Sequence, residues 1–263
     1  GDITTLMVWQ RGFVSFFDFF NIFIPSVVNY IIPAFIMSLF ISNRIPEGDG
    51  KKVEILPGGR VIAFLGILTI SVTVTGHQVL HMPPVFGMMF GLGLLGTYGY
   101  FLKTKYPNKN KFDIFQLTGK AEWDTLLFFY GILVCVGGLA TLGYLKLISD
   151  DMYVNLGPTY ANILVGILSA IIDNIPIVYA VLTAHPSMDM GQWLLITLTA
   201  GVGGSLLSIG SAAGVALMGQ ARGIYTFFSH LKWSWAILIG YAASIVTHLI
   251  LNKHLFDLVP LER

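Results

Sequence analysis

Residues 169–176 read SAIIDNIP, and they place one carboxylate, Asp173, inside a stretch that is otherwise almost wholly apolar. An ionisable side chain at bilayer depth costs about 3 kcal/mol on insertion scales, so such a group is by default a functional-site hypothesis. Pro176 follows three residues later. It lacks a backbone donor, which argues against one continuous helix through Asp173. Interrupted backbone is tolerated at that depth only where protein buries it or water reaches it. The expectation is an ion site at the turn between two half-helices.

The composition around this stretch is that of a membrane protein. The 263 residues are 55% hydrophobic and 11% charged, with a mean hydropathy of +0.74, whereas soluble domains carry about 25% charged residues. An all-α polytopic membrane protein is expected. The net charge is +1 and the basic residues are scattered, so no nucleic-acid groove is read. The single cysteine, Cys135, excludes an internal disulfide, and its apolar neighbours make it a small core residue. The opening GDITT has no initiator methionine and no charged segment before an apolar run, so no signal peptide is read. It is expected to be an interior point of a longer protein.

Working outward from SAIIDNIP, residues 155–185 are some thirty residues interrupted at their centre. That fits a re-entrant hairpin of two half-helices better than one span. Residues 192–220 form a second apolar stretch whose centre, GVGGSLLSIGSAAG, holds five glycines and three serines. Such a segment is a poor helix interior and a good unwound one. An amphipathic arm at 221–232 and a last span at 233–251 follow. Upstream, residues 125–148 make a span that runs to a loop marked by Asp150 and Asp151. Lys103–Lys120 carries five lysines and one aspartate and is cytoplasmic by the positive-inside rule. Between it and the polar loop 43–60 lie two spans, 61–76 and 84–102. Gly87 and Gly91 in the second let a neighbour approach closely. A Phe-rich amphipathic arm occupies 12–23, and a first span, with Pro33 as a kink, occupies 24–42.

The two ends of the chain repeat one plan. GDITTLMVWQRG, at 1–12, precedes a Phe-containing arm and a span; GSAAGVALMGQARG, at 210–223, does the same. Counted from the lysine-rich loop, the copies run in opposite directions, as in transporters built from inverted repeats. The divisions are therefore 1–42, the end of a first repeat; 43–123, loops and a scaffold hairpin; and 124–263, a second repeat.

SAIIDNIP, AGVGGSLLSIGSAAGVALMGQARG and GDITTLMVWQ together resemble the NhaD-type sodium/proton antiporters of the ion transporter superfamily. The resemblance covers essentially the whole chain. It implies a multi-pass protein of the bacterial inner membrane that exchanges Na⁺ or Li⁺ for H⁺. It also implies a homodimer with a scaffold and an elevator-like transport domain, and a further hairpin upstream of residue 1. By position it assigns cation and proton binding to Asp2, Thr4 and Thr5 in the first repeat. In the second it assigns Ser169, Asp173, Asn174, Ser208 and Ser211, with Na⁺ held at Asp173, Asn174, Ser208, Ser211 and Asp2. Glu54 falls where the family has a functional acid, although its loop position also gives it a solvated reading. No cofactor is expected beyond the transported ions.

The residue types suit that chemistry. Sodium is a hard cation that takes oxygen ligands: carboxylate, amide, hydroxyl and freed backbone carbonyls. Half-helix C-terminal ends turned toward the break would add negative dipole. Burial favours the protonated carboxyl and a bound cation favours the ionised one, so one aspartate holds H⁺ or Na⁺ but not both well. That competition is a minimal antiport mechanism.

Two rivals remain from the sequence. A sodium-coupled anion carrier, for a dicarboxylate or arsenite-like substrate, would meet an acidic hairpin tip. An intramembrane serine protease with Ser208 or Ser211 as nucleophile and His248 as base leaves Asp173 and the repeat unexplained. His77 and His81 have a metal-like spacing without a third ligand nearby and are read as interfacial. His185, His230 and His254 are read as solvated, and Trp193, Trp233 and Trp235 as an interfacial belt.

Overall fold

The structure is a computed structural model, and it describes residues 2–41, 57–106, 119, 123–221 and 223–256. Regular structure among the described residues is helical: α1 (Asp2–Gln10), α2 (Phe23–Ser38), α3 (Gly59–Leu80), α4 (Pro84–Lys105), α5 (Trp123–Thr141), α6 (Tyr144–Leu168), α7 (Asn174–Ala184), α8 (Met190–Gly203), α9 (Ala212–Gln220), α10 (Phe227–Leu231) and α11 (Ser234–Leu251). Among the described residues, four segments are long and apolar enough to cross a membrane: Phe16–Ser38, Gly59–Leu80, Pro84–Lys105 and Ser234–Leu251. A bent pair, Leu126–Thr141 with Tyr144–Leu168, adds a fifth if counted as one span. Large apolar side chains such as Phe17, Phe35, Phe64 and Phe86 are exposed on these segments, which suits a lipid solvent. The chain is an integral membrane protein.

The residues fall into two compact units, Arg44–Leu126 and the remainder, Gly1–Asn43 with Leu127–Arg263. The smaller unit is a helix pair. His81, with φ 53°, closes α3, and Pro84 stands at the start of α4, where its missing N–H costs nothing. A Cβ on Gly87 would lie 2.4 Å from the Thr73 hydroxyl, and one on Gly91 would lie 2.1 Å from a Thr69 methyl. The two threonines satisfy their hydroxyls on their own helix, at 2.8 Å from the carbonyls of Thr69 and Leu65 respectively. Small residues thus let the backbones meet without leaving a polar group bare. His77 Nδ1 lies 3.0 Å from the Met82 carbonyl, so this histidine pair organises the turn. Among the described residues, no group of three His, Cys, Asp or Glu is arranged to hold a metal.

In the larger unit, α8 is the centre. Every residue from Met190 to Ala200 is buried, as expected of a helix that is apolar on all sides. Trp193, read from sequence as interfacial, is only 1% exposed and stacks on Phe13 with ring centroids 4.0 Å apart. Phe13 also meets His185, at 5.0 Å. Phe13 follows α1 and His185 closes α7, so these two helices run side by side in the same direction.

Helices α2 and α11 run oppositely. Asn252 Nδ2 donates to the Asn21 carbonyl at 2.9 Å, while at the other end Phe40 lies 5.2 Å from Trp233. Between them, a Cβ on Gly240 would come within 2.8 Å of the Pro33 ring. Pro33 therefore sits within α2 and packs into a gap left by a glycine.

Three expectations are corrected here. The span beginning near 125 does not run to 148: α5 stops at Thr141, Gly143 takes φ 83°, and the chain bends by 79° into α6. Glycine adopts that backbone conformation without a Cβ penalty. Helix α6 is itself interrupted at Gly157 (φ 75°, ψ 157°), with Pro158 next, so it comprises a segment carrying Asp150 and Asp151 and a second one, 158–168. The arm at 12–23 is a single 3₁₀ segment, Phe16–Ile22. Cys135 is exposed, not in the core.

Candidate ion site

The interruption at Asp173 is short. Helix α6 ends at Leu168 and α7 begins at Asn174, leaving 169–173 as a tip. Asp173 takes the N-cap position with extended backbone (φ −48°, ψ 144°), its carboxylate near the N–H groups of Asn174 and Ile175 without closing a cap hydrogen bond. Asp173 and Asn174 are half-buried, and Pro176 is buried in the first turn of α7. Proline is tolerated there because first-turn N–H groups lack intrahelical partners anyway.

The second interruption lies between Gly203, where α8 ends, and Ala212, where α9 begins, with one 3₁₀ turn at Ser208–Gly210. Tip and break are pressed together. Ser169 Oγ donates to the Ala200 carbonyl at 2.9 Å. A Cβ on Gly210 would sit 2.4 Å from the Ala170 carbonyl oxygen and 2.7 Å from that of Ser169. One on Gly203 would sit 1.8 Å from the Gly166 oxygen, and one on Gly204 would sit 2.6 Å from the Gly210 oxygen. One on Gly214 would lie 2.3 Å from the Ser208 oxygen. Each glycine is thus a place where a backbone carbonyl approaches, and the crossing is rich in hard oxygen donors of the kind sodium prefers.

Helix ends of both signs meet here. Helices α6 and α8 bring C-terminal, negative ends; α7 and α9 bring N-terminal, positive ends. The expectation of C-terminal ends alone is incomplete: Asp173 caps a positive end. Ser211 caps another, its Oγ accepting from Gly214 N–H at 3.1 Å. Ser208 is buried, with Oγ 3.5 Å from Met218 Sδ. Ser169 and Ala170, at the start of the tip, are therefore packed on the break that holds Ser208 and Ser211, while Asp173 and Asn174 stand at the other end of the tip, where α7 begins.

The first-repeat residues lie on α1, which packs on α7 and α8. Asp2 opens that helix, Thr4 is fully buried and Thr5 half-buried. Because α1 and α7 run in parallel, the first turn of α1 is level with Asp173 and Asn174. Glu54 lies outside the described residues.

Beneath the tip is a polar network that the sequence reading did not single out. Tyr153 OH donates to Asn162 Oδ1 at 2.9 Å. Asn162 Nδ2 donates to the Gln192 carbonyl and to its Oε1, at 3.1 and 3.0 Å. Gln192 Nε2 donates to Thr159 Oγ1 at 2.6 Å. Thr199 Oγ1 and Tyr241 OH donate to the carbonyls of Asn162 and Ile163, both at 2.9 Å. The available signal was Asn162 itself, one amide in the apolar run ANILVG.

His248 is buried far along α11 from the break. Its Nε2 lies 3.0 Å from the Gly191 carbonyl and its Nδ1 2.9 Å from Asn252 Nδ2. Both ring nitrogens are engaged, one at the start of α8 and the other at the C-cap of α11, so it is not a base for Ser208 or Ser211. His230, read as solvated, instead ties α10 to the break: Nε2 lies 2.9 Å from the Ser205 carbonyl, and Nδ1 meets Tyr225 OH. Partial burial pushes the Tyr225 phenol above the ordinary tyrosine range.

The model of the CitMHS family, described as citrate transporter, matches residues 1–201. The chain belongs to this family. It is 55% identical over 281 residues to the Na⁺/H⁺ antiporter NhaD of Alkalimonas amylolytica, covering 98% of this chain and 58% of that protein. It is 55% identical over 265 residues to NhaD of Vibrio parahaemolyticus, covering 92% and 64%. It is 33% identical over 270 residues to sodium/proton antiporter 1 of Arabidopsis thaliana, covering 98% and 46%. The chain therefore spans about half to two thirds of the length of these relatives. No solved structure matches it significantly.

Proposed function

We propose that this chain carries the cation- and proton-binding part of a secondary transporter that exchanges Na⁺, or Li⁺, for H⁺ across the bacterial inner membrane. The observation that carries this reading is an acidic hairpin tip, ending at Asp173, whose first residues, Ser169 and Ala170, press their carbonyls on a glycine-lined break. The similarity to proteins named Na⁺/H⁺ antiporters supports it. In this reading 158–184 is a re-entrant hairpin and α8–α9 a broken span. The opposite directions of α2 and α11 favour two inverted copies of one unit. Working as a homodimer with an elevator-like transport domain belongs to the same proposal.

The chemistry follows from competition. A carboxylate held partly out of water takes a proton or a sodium ion. Asp173 supplies the charge; Asn174, Ser208, Ser211, Ser169 and nearby carbonyls supply neutral oxygens; Asp2, Thr4 and Thr5 approach from α1. Proton-loaded and sodium-loaded sites cross, and the empty, charged site does not. The family description names citrate, but an anion at this tip would face a carboxylate, which speaks against the anion-carrier reading. The test is Asp173→Asn in the complete protein, assayed in everted vesicles for Na⁺-dependent proton movement. Loss of exchange with normal membrane insertion supports the assignment, and retention of full exchange removes it.

A further inference from the structure

His248 is wholly buried by other residues of this chain, and the chemistry of its partners fixes its protonation. The Gly191 carbonyl, 3.0 Å from Nε2, can only accept, so Nε2 carries a hydrogen. The Asn252 side chain places one atom 2.9 Å from the Asn21 carbonyl and 2.9 Å from Nδ1 of the ring. Because a carbonyl only accepts, that atom is the amide nitrogen and not its oxygen. It donates one hydrogen to Asn21 and the other to Nδ1, which is therefore a bare acceptor. The ring is held neutral.

The partners come from distant parts of the chain. Asn21 stands near the end of the 3₁₀ arm, Asn252 is the C-cap of α11, and Gly191 lies in the first turn of α8. The chain after Asn252 folds over the same spot: the Phe256 ring meets His248 edge-on with centroids 5.5 Å apart, and a Cβ on Gly191 would lie 2.9 Å from that ring. One imidazole thus ties the first arm to the start of the central helix and the end of the last span. Water is near, because Lys253 and His254 after α11 and Ser187 in the loop before α8 are exposed. His248 sits about one helical turn inside that boundary.

Among the described residues, neither ring nitrogen touches a carboxylate. The ionisable groups on the elements packed here are Asp18 on the arm, Tyr30 on α2, Asp189 before α8, and Lys253 and His254 after α11. Tyr30 is exposed, Asp189 Oδ1 accepts from the Gln192 N–H at 2.8 Å, and Lys253 has the same sign as an imidazolium. A proton on Nδ1 would set one N–H against another, so it enters only if the Asn252 amide swings away and gives up its bond to Asn21. We propose that His248, Asn252 and Asn21 form a proton-operated latch, closed while the imidazole is neutral. A proton from the aqueous boundary opens it and frees the first arm and the end of the last span from the start of α8. The latch rests on hydrogen bonds among these residues and not on the identity of the transported ion.

Hydrogen exchange of the complete protein in detergent, read by mass spectrometry at about pH 8 and about pH 5, brackets the range in which histidine titrates. An opening linked to one proton grows by up to about tenfold per pH unit. After correction for intrinsic rates, peptides covering 16–22 and 249–256 are expected to exchange at least tenfold faster at the lower pH, with α3 and α4 unchanged. His248→Gln, whose amide can donate to Gly191 and accept from Asn252 but cannot titrate, should abolish the acceleration. Asn252→Ala should release both segments at the higher pH already, to the level the wild type reaches only in acid. The proposal is overturned if the wild-type segments exchange alike at both pH values, or if the acceleration survives in His248→Gln. It is equally overturned if Asn252→Ala stays as protected as the wild type at the higher pH, or if the acceleration extends to α3 and α4, the mark of general acid unfolding.

Discussion

Replacing Gly210 by alanine puts a methyl carbon 2.4 Å from the Ala170 carbonyl oxygen, 2.6 Å from its carbon and 2.7 Å from the Ser169 oxygen. All three are backbone atoms, so no side chain can swing away. Ordinary contact requires about 3.5 Å, so tip and break must part by about 1 Å. Overpacking of this kind costs about 1–3 kcal/mol of stability. The functional effect should be larger, because a 1 Å misplacement at a reacting centre can cost on the order of a hundredfold. In everted vesicles containing the complete protein, Gly210→Ala is expected to slow Na⁺-dependent proton movement at least tenfold at matched protein levels. Gly137→Ala on α5, where a Cβ meets nothing within 4 Å, is the control and should leave exchange unchanged. If Gly210→Ala exchanged within twofold of wild type and melted at the same temperature, the hairpin tip would not lie on the break.

Other outcomes follow from the same contacts. Asn162→Leu strands Tyr153 OH and the Gln192 amide, at about 1–3 kcal/mol for each unsatisfied group, and thermal unfolding in detergent should show a clear drop in melting temperature. Ser211→Ala removes the cap on α9 and should cost about 1 kcal/mol, measurable as faster hydrogen exchange confined to 212–220. On the proposed competition of proton and sodium for one carboxylate, the apparent KM for Na⁺ of the complete protein should rise as pH falls, by up to about tenfold per pH unit, with the maximal rate much less affected. Initial rates over a grid of pH and Na⁺ concentration would check this.

Features of the candidate site were legible where a residue broke a physical rule. Asp173 in an apolar run and Pro176 just after it announce an interrupted helix, and α7 begins at Asn174. Five glycines in fourteen residues announce a segment that cannot be ordinary helix, and α8 ends among them at Gly203. What stayed hidden was set by tertiary partners. Trp193 has the composition of an interfacial anchor, yet Phe13, some 180 positions away in sequence, covers its face. Asn162 and Gln192 look like isolated polar residues until α6 and α8 are laid together, when each becomes the other's partner. The bend at Gly143 was missed because nothing in the sequence distinguishes it from Gly131, Gly137 and Gly138 within α5 as the glycine that takes φ 83°. His230 was misplaced because its acceptor, the Ser205 carbonyl, exists only where the helix has already opened.

The central claim is that sodium and the proton share Asp173, and proton release on sodium binding tests it most directly. The complete protein is held in lightly buffered detergent solution and titrated with NaCl against choline chloride while the pH is recorded. Na⁺ is expected to displace protons from the wild type, and Asp173→Asn, still folded by melting temperature, is expected to release markedly fewer. Equal proton release from the variant and the wild type would contradict it.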